Sequence, residues 1–134
     1  MTLSRTVVAL AVGVVLTLVG TANASTVRVA HFKTPSGNII CSAEVNTSPT
    51  LLSCTVFRTE QGRAIGLNLV PGNVAEDTDY RTDAWFFRTK PHRVLQYGTV
   101  TRFGPFVLRS EKKGLTVRSG KHGFFASREY QFLW

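Results

Sequence analysis

The chain has 134 residues, a formal net charge of +8 and only two cysteines, Cys41 and Cys54. That length is enough for one domain with a modest core. The two cysteines, thirteen positions apart, have no metal-type spacing, and none occurs among the histidines.

The first residues read as a targeting signal. Arg5 is followed by an uncharged stretch, Thr6 to Gly20, rich in Val, Leu and Ala, and then by Ala22-Asn23-Ala24. The small-x-small pattern predicts cleavage after Ala24, making 1–24 a signal peptide and 25–134 a single secreted domain. An uncleaved anchor is the rival reading, but the apolar run is shorter than the roughly 20 residues a bilayer span needs. No transmembrane segment is expected in the mature form, which is extracellular or associated with the cell envelope. In that compartment Cys41 and Cys54 are expected to be joined as a disulfide.

Beyond Ala24, short runs of β-branched and aromatic residues alternate with Gly, Pro, Asn and Ser, and no window holds a capped helical period. Predicted strands in chain order are 26–33, 38–45, 51–58, 64–70, 83–88, 99–103, 106–110, 115–118 and 124–134, the last with a break. The fold class is all-β: a small antiparallel barrel or compact sandwich of about 8–9 short strands with one disulfide. In the second strand Ile39, Cys41, Ala43 and Val45 share a face, and in the third Leu52, Cys54 and Val56 do. Setting Cys41 opposite Cys54 pairs Val45 with Thr50 and leaves Asn46-Thr47-Ser48-Pro49 as the turn. Directly opposed side chains of an antiparallel pair approach closely enough for that bridge.

Each candidate for chemistry has a structural counterpart. Ser36 lies in Thr34-Pro35-Ser36-Gly37-Asn38, without the Gly-x-Ser-x-Gly elbow of a hydrolase nucleophile. Pro35 at the second and Gly37 at the fourth position of a type I turn account for the stretch as a chain reversal. Glu76, Asp77, Asp79 and Asp83 crowd one short segment, but the calcium-loop pattern fails, and an acidic turn facing the basic half is the reading. His31, His92 and His122 form no metal spacing. No metal and no cofactor is expected.

The charge is uneven. Residues 84–128 carry ten Lys and Arg against the single acid Glu111, a net +9, whereas residues 25–83 are nearly neutral. Arg88, Lys90, Arg93, Arg102, Arg109, Lys112, Lys113, Arg118, Lys121 and Arg128 are therefore the candidate basic face, suited to anionic partners. Aromatics crowd the same half. Most must build the core, but adjacent strand residues point to opposite faces, so Trp85-Phe86-Phe87 and Phe124-Phe125 are each expected to expose at least one ring.

Several pieces together resemble a family of secreted bacterial domains of unknown function common in actinobacteria. They are Thr34-Pro35-Ser36-Gly37-Asn38-Ile39 with Cys41, then Cys54, Asp77-Thr78, Leu95-Gln96-Tyr97-Gly98, Gly104-Pro105-Phe106, Gly114-Leu115-Thr116, and His122-Gly123-Phe124 leading to Ser127-Arg128-Glu129. The resemblance implies a small exported β domain and no established activity. It also implies a further cysteine pair at the positions of Leu108 and Val117 and a cysteine at that of Val74. Apolar residues at both pair positions lead us to expect that Leu108 and Val117 face each other in the core. Where the family has Gly before His-Gly-Phe, this chain has Lys121.

The expected function is that of an exported, non-enzymatic binding module with a basic face. Its partner is expected to be an anionic envelope polymer, a lipid surface or a protein, with non-specific nucleic-acid contact as a corollary of the charge. A small secreted hydrolase or nuclease using histidine and basic residues is the alternative, and requires those groups to converge in a pocket. A secreted inhibitor or interaction domain is the third, and would be marked by an exposed loop or apolar patch.

Overall fold

A computed structural model of the protein describes residues 25–58, 63–81 and 92–134. Among them are eleven strands and no helix: β1 (Arg28–Lys33), β2 (Ile39–Val45), β3 (Leu51–Arg58), β4 (Arg63–Leu69), β5 (Glu76–Arg81), β6 (Arg93–Val94), β7 (Thr99–Phe103), β8 (Phe106–Glu111), β9 (Gly114–Ser119), β10 (His122–Ala126) and β11 (Gln131–Leu133). They form two sheets, ordered β5-β4-β3-β2-β1-β6 and β11-β10-β9-β8-β7. Pairings are antiparallel except β1 with β6. The sandwich, not the closed barrel, is the architecture.

The first hairpin closes as its residues dictate. The Gly37 amide donates to the Thr34 carbonyl at 2.9 Å, which completes the Thr34-to-Gly37 turn. Thr34 is buried, and its Oγ1 accepts from the Ile39 amide at 3.3 Å. Ser36 Oγ accepts from the Asn38 amide at 3.3 Å, a local turn bond that gives this hydroxyl a structural use. Cys41 then stands directly opposite Cys54, Cα to Cα 4.0 Å, and the two form the disulfide.

One core fills the space between the sheets. Ile39, Cys41, Ala43, Val45, Leu52, Cys54, Val56, Leu67 and Leu69 come from one sheet, and Phe106, Leu108, Leu115, Val117, Phe124 and Ala126 from the other. Ile40, Phe57 and Ala64 form a second buried cluster on the opposite face of the larger sheet. A polar strap joins the sheets: Arg58 on β3 donates to Gln131 Oε1 on β11, and Gln131 Nε2 donates to Asp77 Oδ2 on β5 at 3.1 Å.

Leu108 and Val117 are cross-strand partners on β8 and β9, and both are fully buried. The expected contact is therefore present. Opposed inward-facing positions of an antiparallel pair admit a disulfide, so a Leu108→Cys/Val117→Cys variant should oxidise without rearrangement. Its mass under non-reducing conditions should be two hydrogens lower, with no free thiol. Persistent thiols after air oxidation would contradict the register. Val74, by contrast, is exposed.

Two expectations change. Glu76, Asp77 and Asp79 lie not on a turn but on β5, an edge strand paired with β4. Charged side chains such as Glu76 and Asp77 on an edge strand disfavour pairing with another chain. β6, two residues long, has too little sequence to announce itself. The predicted strand 83–88 lies outside the described residues. The expected break in 124–134 falls at Ser127–Tyr130, where Ser127 Oγ accepts from the amides of Glu129 and Tyr130 at 3.3 and 3.2 Å.

Candidate anion-binding face

Strand registers decide which basic residues meet. Two-residue turns, Gly104-Pro105 and Gly120-Lys121, join β7 to β8 and β9 to β10. Each has Gly in its first position, with φ of +53° and +60°, as a type II′ hairpin turn requires. Lys121 occupies the second position, where a residue other than glycine fits without strain.

With these registers fixed, Arg102 opposes Val107, Val107 opposes Arg118, and Arg118 opposes Gly123. In the neighbouring row Val100 opposes Arg109, Arg109 opposes Thr116, Thr116 opposes Phe125, and Phe125 opposes Phe132. All lie on the outer face of the five-stranded sheet, since Leu108, Val117 and Phe124 between them point into the core. Arg102, Val100, Val107, Arg109, Thr116, Arg118 and Gly120 line one groove of about 740 Å³.

The three arginines form a triangle. Arg102 and Arg118 are two strands apart, about 10 Å, and Arg109 is diagonal to each, about 7–8 Å. All three are exposed, and none forms an ion pair among the described residues. Like charges on neighbouring strands repel one another. An anion in the groove would relieve that repulsion.

The other predicted basic residues are placed differently. Lys112 and Lys113 make the β8–β9 turn, and Lys113 Nζ pairs with Glu111 Oε2 at 3.4 Å. Lys121 follows Gly120 at the rim of the groove, and Arg128 lies in the β10–β11 turn. Arg93 is on β6 in the other sheet. Arg88 and Lys90 lie outside the described residues. Of the described basic residues predicted to form one face, three make a triad, four sit in turns between strands and Arg93 lies on the other sheet.

What the sequence reading did not assemble is the aromatic half of the same face. Phe132 and Tyr130 are 61% and 58% exposed, and the half-buried Phe125 and Trp134 lie beside them. Phe125 packs on Tyr130 with centroids 5.5 Å apart, and Phe132 on Trp134 at 5.8 Å. Phe124 is buried while Phe125 is on the outer face, as alternation predicts for that pair; residues 85–87 lie outside the described ones.

Two further hollows were compared with this face. A cleft of about 210 Å³ gathers Thr34, Ser36, Tyr97 and Ser127 with Lys112, Lys113, Arg128, Glu111 and Glu129. Its charges are mixed, and its buried hydroxyls are engaged in turns. A hollow of about 400 Å³ on the larger sheet brings His31 and His92 together, ring centroids 5.8 Å apart, beside Ser42, Ser53 and Asn68. Ser53 Oγ donates to Asn68 Oδ1 at 2.7 Å. No carboxylate, lysine or arginine is among its described lining residues. His122 is on the other sheet. No group of three or more metal-ligating side chains occurs among the described residues, and no helix long and apolar enough to cross a membrane occurs among them.

Compared with known proteins, the chain matches no protein-family model, no curated protein and no solved structure.

Proposed function

We propose that the protein is an exported binding module that holds an anionic polymer of the cell envelope or its surroundings against Arg102, Arg109 and Arg118. The convergence of these three exposed side chains in one groove, with no acid among its described lining residues, carries the reading. Arginine suits the task because its planar guanidinium binds carboxylate, sulfate or phosphate through two parallel hydrogen bonds. Export rests on the leader-like sequence of residues 1–24, and the resemblance to a secreted family agrees with it.

The test is binding of long-chain polyphosphate by the purified protein over a series of salt concentrations. Affinity should fall linearly in logarithmic terms as salt rises. In an Arg102→Gln/Arg109→Gln/Arg118→Gln variant the slope should become shallower by roughly 0.7–0.9 for each arginine that contacts the polymer. Unchanged binding in that variant, or binding indifferent to salt, refutes the reading. The same variant should melt no lower than the parent, because its loss removes only mutual repulsion.

A further inference from the structure

One end of the larger sheet carries a row of arginines that the groove on the other sheet does not use. β3 ends at Arg58, β4 begins at Arg63 and β5 ends at Arg81. The registers set Arg58 opposite Arg63, and Arg63 opposite Arg81. Directly opposed residues of an antiparallel pair hold their Cβ atoms about 4.5–5.5 Å apart, and like charges so placed destabilise the pair. Folding works against such a row, and a negative charge beside it would offset the cost.

Arg58 shows that this compensation is incomplete within the chain. It shares a strand face with Cys54 and Val56, which point into the core, so it lies at the rim between the sheets. There it is half-buried and donates through Nη2 to Gln131 Oε1. Its Nε is buried and has no hydrogen-bond partner. A buried donor left unpaired carries a desolvation cost that a partner would remove. Nε and Nη2 form one edge of the guanidinium, with two parallel N–H bonds, and Gln131 brings a single amide oxygen to it. The same glutamine donates to Asp77 Oδ2 at 3.1 Å, so the nearby carboxylate is engaged by an amide. Arg63 is exposed, and neither it nor Arg58 forms an ion pair among the described residues.

We infer that this rim is a second anion site, separate from the groove, and that it takes a tetrahedral oxyanion: phosphate or sulfate, free or as a terminal group. Two oxygens of the anion accept from the Nε–Nη2 edge of Arg58, which Gln131 yields on binding, and a third accepts from Arg63. The number of oxygens selects the ligand. A carboxylate has two, which satisfy one guanidinium fork and leave the neighbouring cation unmatched. A tetrahedral oxyanion has enough for both. Arg81 extends the positive row on the far side of Arg63. The competing acid is Asp79, which stands opposite Ile65, two positions from Arg63 along β4.

The test follows the Arg58 Nε–H resonance in nitrogen-15 spectra at constant ionic strength, with inorganic phosphate, phenyl phosphate, sulfate and acetate as probes. Phosphate or sulfate should shift it saturably, and acetate should do so far more weakly. A phenyl phosphate response equal to that of the free ion assigns the site to terminal phosphate groups, and a weaker one assigns it to the free ion. The shift should persist in the Arg102→Gln/Arg109→Gln/Arg118→Gln variant, which keeps the rim and removes the groove. Arg63→Gln, at an exposed position, should weaken phosphate about tenfold, the scale of a hydrogen bond to a charged group, while the Arg58 resonance itself remains visible and reports an intact fold. Loss of the shift in the groove variant would assign the anion to the groove and overturn the inference. Acetate matching phosphate, or an Arg63→Gln protein that binds as the parent does, overturns it too. No saturable shift with any probe would mean that Asp79 already serves the row, and the rim would then be no site. The groove reading is untouched by any of these results, since polyphosphate binding tests it separately.

Discussion

Replacing Cys41 and Cys54 together by alanine should lower the thermal midpoint by on the order of 15 °C. Chain-entropy arguments give a loop of this length about 3 kcal/mol, and a domain of this size shifts its midpoint by about 4–8 °C per kcal/mol. The bridge joins two central strands of the larger sheet, β2 and β3, at positions that also belong to the inter-sheet core. Alanine avoids burying a hydroxyl, but it leaves space between Ile39, Ala43, Leu52 and Val56 where the sulfurs were. Unfolding monitored by circular dichroism, with and without reductant, separates the two contributions. Reductant should lower the midpoint of the parent protein and leave the variant unmoved. A parent midpoint indifferent to full reduction would show that the sheet needs no covalent tie.

How far such features were legible depends on what fixes register. Around Cys41 the sequence is nearly self-sufficient, because period-two alternation, a short turn and a covalent partner all demand one pairing. Leu108 and Val117 could be matched because the resemblance supplied a cysteine pair to stand in for the contact. The arginine triad was only half legible. Alternation puts Arg102, Arg109 and Arg118 on some face, but the registers imposed by Gly104-Pro105, Lys112-Lys113 and Gly120-Lys121 bring them to one groove.

The aromatic half of that face was hidden by a change of parity. Read as one strand, 124–134 groups Phe124 with Phe132 and Trp134. The turn at Ser127–Tyr130 instead pairs Phe125 with Phe132 and sends Phe124 into the core. β5 was illegible for a different reason. Glu76-Asp77-Thr78-Asp79 has no apolar alternation, and its strand conformation comes from hydrogen bonding to β4. Propensity is weakest where a sheet edge is solvated on one side.

Gly123→Ala should be among the most damaging single methyl additions in the smaller sheet. It should cost about 3 kcal/mol, the upper part of the range for overpacking. The new Cβ would lie 2.3 Å from the Val117 carbonyl oxygen, 3.0 Å from Trp134 Cζ2 and 3.1 Å from Arg118 Cα. The shortest of these decides the outcome, because a backbone oxygen in a paired strand cannot swing away as a ring can. Removing the ring as well, in Gly123→Ala/Trp134→Ala, should therefore fail to restore stability, while Trp134→Ala alone should cost less than Gly123→Ala. Gly123 and Trp134 exchange two backbone hydrogen bonds, each 3.0 Å, so hydrogen exchange at their amides should accelerate when β10 and β11 are forced apart. Lys121→Ala, two residues away in the turn, should change stability by less than about 0.5 kcal/mol. A Gly123→Ala protein that melts within two or three degrees of the parent and keeps those amides protected would mean that β9 and β10 are not so closely apposed.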